Sequence, residues 1–132
     1  ADFSSITDLL SKLPEIAGKD TLNGTFFCNL YSPNDTSDLN KNFVAEYKNL
    51  YKSEPDVFAA LSHDATMAIV KAIEDAKSAD PAQIAVAMAK IKDLQGVTGA
   101  TTFDDKHNPI KSAVIIEHVD GKQTFKTKIN PW

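Results

Sequence analysis

Apolar positions in this chain recur at two periods, and the places where the period changes divide it into elements. Over "SSITDLLSKLPEIAG", Ile6, Leu9, Leu10 and Leu13 fall on one helical face. Ser5 with Asp8 resembles a capping box with the shorter acid, Pro14 weakens the last turn, and Gly18 fits a stop. "GTFFCNLY", residues 24–31, is aromatic and short, and predicts a strand. Phe26, Cys28 and Leu30 share one face of it, with Phe27 and Tyr31 on the other. Apolar groups on both faces suit a strand covered on both sides.

"SPND" then marks a turn, and helical spacing returns. Phe43, Val44, Tyr47, Leu50 and Tyr51 form one stripe of a helix expected over residues 37–52. A long third helix is expected over 56–77, its stripe made by Phe58, Leu61, Ala65, Ala68, Ile69, Ala72 and Ile73. Its alanines favour helix and permit close packing. A fourth, over 81–94, starts at Asp80-Pro81, with Asp80 as cap, Pro81 in the first turn and Gln83 completing the capping pair. Ile84, Ala87, Met88, Ile91 and Leu94 are its expected buried face, and Gly96 its end. Alternation then takes over. "SAVIIEHVDGKQTFKTKIN" predicts two strands joined by a tight turn at Asp120-Gly121. Phe125 among threonines and lysines makes the last strand half exposed.

With 132 residues, 42% of them hydrophobic, the chain can bury one ordinary core, and residues 1–132 are expected to form a single unit. No apolar run has the length of a membrane helix, and no stretch resembles a signal peptide. The chain opens at Ala1-Asp2-Phe3 without an initiator Met, which fits a mature protein or a fragment. The net charge of −4 and the scattered lysines argue against nucleic acid and anionic membrane surfaces as partners. A single cysteine, Cys28, excludes an internal disulfide and Cys-rich zinc sites.

Candidate chemistry concentrates in "GVTGATTFDDKHNPI", residues 96–110, where Asp104, Asp105 and His107 could bind a metal. Their spacing matches neither a calcium loop nor a zinc motif, and Asp and Asn here have a local explanation as turn formers. "GVTG" lacks the Lys-Ser or Lys-Thr of a phosphate-binding loop and opens no helix. His63 and Asp64 are adjacent on a helix, diverge by about 100°, and are not expected to pair. His118 is expected to face solvent. Cys28 is expected to be buried and inert in its strand. Phe26 and Phe27 read as core, and no serine sits in a nucleophile elbow. No catalytic residue and no cofactor site emerges.

The order of the pieces adds what single motifs do not. "LNGTFFCNLYSP", "FVAEYKNLYKSEPDVFAALSHDATMAIVKAIEDA", "DPAQIAVAMAKI" and "GVTGATTFDDKHNPIKSAVIIEHVDGK" follow one another in an order and spacing that resemble the C-terminal part of the leucine/isoleucine/valine-binding proteins of ABC importers. Two departures stand out: His63 replaces the aromatic of the family's Tyr-Asp-Ala triplet, and His107 stands where the family usually has Gly. The resemblance implies an α/β fold. It is a partial type I periplasmic-binding (Venus-flytrap) architecture, with helices on a mostly parallel sheet plus a C-terminal β-hairpin.

It also implies a C-terminal fragment of a longer two-lobed protein, containing parts of both lobes, with the 96–110 stretch a connection near the hinge. By the same resemblance the protein is no enzyme and needs no cofactor or metal. It would bind an amino acid between its lobes outside the cytoplasm, in the periplasm or lipid-anchored at the outer face of the membrane. It would present that ligand to an ABC permease. Asp2 stands where the family places the carboxylate that receives the ligand's ammonium. Two other readings remain at this level: a sensing domain of a signalling receptor with the same fold, and a small metal-dependent enzyme using residues 104–107. A fragment would leave strand edges and helix faces uncovered and so invite self-association.

Overall fold

The structure is a computed structural model that describes residues 6–131. Ten elements follow one another: α1 (Ile6–Ala17), α2 (Lys19–Leu22), β1 (Phe26–Asn29), α3 (Asp38–Tyr51), α4 (Val57–Ala76), α5 (Pro81–Met88), β2 (Thr101–Phe103), β3 (Pro109–Lys111), β4 (Ala113–Val119) and β5 (Lys122–Ile129). They sort into two regions. β1, β4 and β5 make a three-stranded sheet in the order β1-β4-β5. α3, α4 and α5 form a helical layer that carries the small β2–β3 hairpin, and few contacts join the two regions. None of the helices among the described residues is long and apolar enough to cross a membrane.

Every strand pair is antiparallel, which corrects the expected mostly parallel sheet. The physical reason is topological. Parallel neighbours need a strand, a crossover and a second strand returning to the same sheet. Among the described residues β1 is the one strand before α3, α4 and α5, and the chain re-enters its sheet at β4 running the other way. The C-terminal hairpin forms as the Asp-Gly turn predicts. Asp120 and Gly121 take φ of 50° and 75°, a left-handed pair that matches the twist of the flanking strands. β5 is mostly exposed, with Phe125 half-buried. A bulge at Lys126 lets Ile115 pair with Thr127 and Ile116 with Phe125.

The alternation expected in β1 is present, but cover on both faces is not. Phe26 is 57% exposed, and Cys28 and Leu30 are exposed beside it. Among the described residues only the Lys126 ammonium lies over this side, 5.8 Å from the Phe26 ring, so Cys28 is exposed and not the buried thiol the pattern suggested. On the opposite face Val114, Ile116 and His118 are buried. His118 is therefore a second correction. The register puts it on the same face as Ile116, with its ring 5.4 Å from that of Phe27. Its Nδ1 lies 3.1 Å from Thr25 Oγ1, whose own proton goes to the Leu22 carbonyl at 2.7 Å.

The helices obey their start signals more closely than their apolar stripes. Ser37, Asp56 and Asp80 cap α3, α4 and α5; Asp80 Oδ1 accepts the amides of Ala82 and Gln83, both at 3.0 Å. The expected cap at Ser5, and Asp2, lie outside the described residues. α4 buries Ala60, Ala68 and Ala72, whereas Phe58, Ile69 and Ile73 of its expected stripe are exposed. Residues four apart make one row, and α5 with the 91–103 segment lies against the alanine row. The larger residues lie on the adjacent side, left exposed among the described residues. In α3 the buried end of the stripe is Phe43, which packs with Tyr31, Ala60 and Val97, while Leu50 and Tyr51 are exposed.

α5 ends at Met88 and not near residue 94. The backbone beyond it is drawn into extended pairing: Leu94 bridges Thr101, and the Phe103 amide bonds the Ile91 carbonyl at 3.2 Å. Ile91 is nonetheless buried against Ala68 and Ala72, so its place in the core holds although its helix does not.

Candidate functional site

The Asp104–His107 stretch is a turn between β2 and β3, held from within. Asp104 Oδ1 accepts the amides of Lys106 and Asn108, both at 2.8 Å, and Oδ2 accepts Asn108 Nδ2 at 3.1 Å. The Asn108 amide, first among these bonds, keeps the Asp104 carboxyl below its ordinary range. His107 takes φ of 64°, the left-handed conformation that favours glycine. Both oxygens of Asp104 are spent on the turn, which is how Asx motifs replace backbone pairing.

Asp64 is the site residue that periodicity undervalued. It lies on the same row of α4 as the buried alanines and faces the "GVTG" loop across 33 residues of sequence. Its carboxylate accepts the amides of Val97 and Thr98, both at 2.9 Å, and the Thr98 hydroxyl at 2.5 Å. Gly96 lies so close that a Cβ there would be 2.5 Å from Asp64 Oδ2, so only glycine fits. The excluded His63–Asp64 contact does form, with Nδ1 3.2 Å from Oδ1. Asp64 is turned inward by the loop, while the His63 ring leans on Phe43 at 5.1 Å, and the two bends bring neighbours together.

The two regions meet at the crossing from β1 to α3. Asn40, fully buried, donates from Nδ2 to the carbonyls of Ser32, Pro33 and Asp35 at 3.2, 3.2 and 2.9 Å. Asp35 Oδ1 accepts the Ser37 amide at 2.9 Å, and its Oδ2 pairs with Lys128 of β5. Burial would raise the Asp35 carboxyl, but the Lys128 ammonium and the Ser37 amide outweigh it and hold the group below its ordinary value. Ser112, just before β4, donates to Asn130 at 2.9 Å. The Asp35–Lys128 pair ties the end of β5 to the entrance of the helical layer, and the Ser112–Asn130 bond closes the same end of the sheet.

Between the regions lies a cavity of about 350 Å³. Asn29, Ile116 and Gln123 reach it from the sheet; Glu54, Asp56 and Val57 reach it from the start of α4. Tyr31 closes its floor, with its ring set edge-on to Phe43 at 6.3 Å. Burial, then Glu54, Asp35 and Asp56, push the phenol well above its ordinary pKa and keep it protonated. A cavity of mixed polar and apolar lining between two lightly connected regions is suited to holding a solute. Of the residues singled out from sequence, none of Cys28, His63, Asp104, Asp105, His107 or His118 borders it. Tyr31 was visible only as one face of a strand, and Asp35 and Lys128 only as a turn residue and an exposed-strand lysine.

A family description, periplasmic binding protein, matches residues 9–123. The chain is also similar to a leucine-binding protein, LivK, from Thermotoga maritima, with 35% identity and a TM-score of 0.77 over 92% of this chain and 35% of that one. LivJ from Streptococcus pneumoniae, a branched-chain amino acid transporter substrate-binding protein solved with isoleucine, shares 29% identity and a TM-score of 0.76 over 92% of this chain and 34% of its own. A solute-binding protein of an ABC transporter from R. palustris, solved with benzoate, shares the fold at 24% identity and a TM-score of 0.71. This chain spans about a third of the length of these proteins. The match across both regions and the segment joining them shows that the chain belongs to the periplasmic binding protein family.

Proposed function

We propose that this chain is the C-terminal portion of the extracytoplasmic solute-binding component of an ABC importer, taking branched-chain or related amino acids. The observation that carries the reading is the likeness of this chain, across its sheet and its helical layer, to a leucine-binding protein at 35% identity and a TM-score of 0.77. In the complete protein the regions belong to two lobes, a solute is held between them without covalent chemistry, and a membrane permease receives it. The complete protein works in the periplasm or lipid-anchored at the outer face of the membrane.

Asp2 is proposed as the partner of the solute's ammonium, since a desolvated ammonium needs a carboxylate. The test is calorimetry with leucine, isoleucine and valine on a chain extended at its N-terminus to the length of its relatives. The parent binds at least one of the three, and Asp2→Asn weakens that binding about tenfold or more. Equal affinity removes Asp2 from the role. Full affinity of the 132-residue chain alone removes the fragment reading.

We further propose that the 132-residue chain pairs with a second copy of itself. The open face of β1, with Phe26 and Leu30, and the uncovered row of α4, with Phe58, Ile69 and Ile73, support this. Light scattering gives a dimer mass at high concentration; a monomer throughout refutes it.

A further inference from the structure

A second cavity, of about 270 Å³, opens between α4 and the β2–β3 hairpin. Leu61, Ala65, Met67, Leu94 and Phe103 make its wall largely apolar. Lys111, at the end of β3, stands in that wall and is half-buried. The register sets it across from Thr101, and its Nζ donates to the buried Thr101 hydroxyl oxygen at 2.6 Å. Lys71, Lys126 and Lys128 each reach a carboxylate, but Lys111 meets none within ion-pair distance among the described residues. Asp64 borders the same cavity, yet both its oxygens are already engaged by His63, Val97 and Thr98. The Lys111 amine thus gives up hydration without gaining a counter-charge. Burial, with Lys128 adding to it and Asp64 opposing it, keeps the amine below the ordinary lysine pKa. A larger share of it is therefore the free amine, which is the nucleophilic form.

We propose that Lys111 condenses with a small apolar aldehyde seated in this cavity to form an imine. The Nζ lone pair attacks the carbonyl carbon, a C–N bond forms, and the π pair of the carbonyl goes to its oxygen. That oxygen takes up two protons in place of the two that Nζ gives up. The C–O bond then breaks as the C=N bond closes, one water leaves, and no oxidant or reductant takes part. An aldehyde suits the site because it brings an electrophilic carbon to the amine without bringing a charge to an apolar wall. A carboxylate would instead be set beside Asp64. The alkyl part of the aldehyde lies against Leu61, Met67 and Phe103. The inference goes beyond the transport reading, since it uses only this cavity and holds whichever solute the complete protein carries.

The experiment treats the dilute 132-residue chain with isobutyraldehyde and sodium cyanoborohydride, which traps an imine as a secondary amine. Peptide mass spectrometry then reads the labelling rate of each lysine at about pH 8, below the ordinary lysine pKa of about 10.4. Lys111 is expected to be labelled about tenfold faster than the exposed Lys106 and Lys122, with a rate that saturates in aldehyde while theirs rises linearly. Glyceraldehyde, a polar aldehyde, should show neither the saturation nor the preference. Ala65→Leu changes an exposed position of α4, narrows the cavity and leaves the amine in place. It should abolish the saturation with isobutyraldehyde. Labelling of Lys111 no faster than that of Lys106 and Lys122, a rate that never saturates, an equal preference with glyceraldehyde, or an unchanged rate in Ala65→Leu would each overturn the proposal.

Discussion

The sheet and the helical layer are held by different means. In the sheet, the backbone ladder does the work between residues whose faces alternate in sequence. β4 pairs on both sides, and the turn that joins it to β5 is two residues long. In the helical layer the backbone bonds are spent inside each helix, and closure depends on side chains that reach distant backbone. Asp64 satisfies the loop before β2, and Asn40 satisfies the crossing before α3. A sheet with one long hairpin can lose a side chain and keep its pairing. A helical layer that closes through single carboxylates and amides loses a whole contact when one of them is changed.

The largest expected effect tests this contrast directly. Asp64→Ala leaves the Val97 and Thr98 amides and the Thr98 hydroxyl without their acceptor, and should cost about 3 kcal/mol. Urea unfolding followed by circular dichroism measures the loss. Amide exchange should show it concentrated in α4, α5 and β2, with β4 and β5 spared; uniform loss would break the comparison. Asn40→Ala comes next, at about 2 kcal/mol, because the buried carbonyls of Ser32 and Asp35 and the half-buried one of Pro33 lose their shared donor. Its signature is a loosened 31–41 segment by exchange, and an unchanged exchange pattern there would remove the clamp.

A smaller effect, about 1–2 kcal/mol, is expected for Lys128→Met, which strands the Asp35 carboxylate, itself only 9% exposed. The pH dependence has a definite sign. The folded Asp35 carboxyl titrates below its unfolded value, so its stabilisation is complete above about pH 4 and lost as pH falls through the folded value. Parent and Lys128→Met unfolding curves should therefore converge on acidification. Curves that stay parallel from neutral pH to about pH 2 would show that the pair contributes nothing. The smallest effect is Gly121→Ala, about 1 kcal/mol, because its φ of 75° strains any side chain. Thermal melts read it, and a loss as large as that of Asp64→Ala would reverse the ranking of the two regions.

The parts that were legible in sequence are those set by near neighbours. Asp80-Pro81 and Asp120-Gly121 determine a helix start and a hairpin turn within a few residues, and both are present. The 104–108 turn is likewise local, and Asp104 is explained by bonds within five residues. What could not be read was which of two candidate surfaces a neighbour covers. On α4 the alanine row and the Phe58, Ile69, Ile73 row are equally apolar in the pattern, yet only the first is packed. His118 and Cys28 exchanged their expected surroundings for the same reason. Alternation assigns residues to opposite faces but does not say which face has a layer on it.

By itself, then, the sequence determined the longer helices, β1, β4 and β5, the hairpin turn, and through the order of its segments the family, but not α2, β2 or β3. Those depend on periodicity, caps and turns, which act over one or two turns of chain. Only the tertiary structure decided the antiparallel pairing of β1 with β4, the early end of α5 and the bonds of Asp64, Asp35 and Asn40. It also decided that Tyr31 closes a cavity edged by Glu54 and Asp56. Each joins groups separated by many residues, and a polar side chain chooses its partner by what lies within about 3 Å of it after folding, which no local pattern encodes.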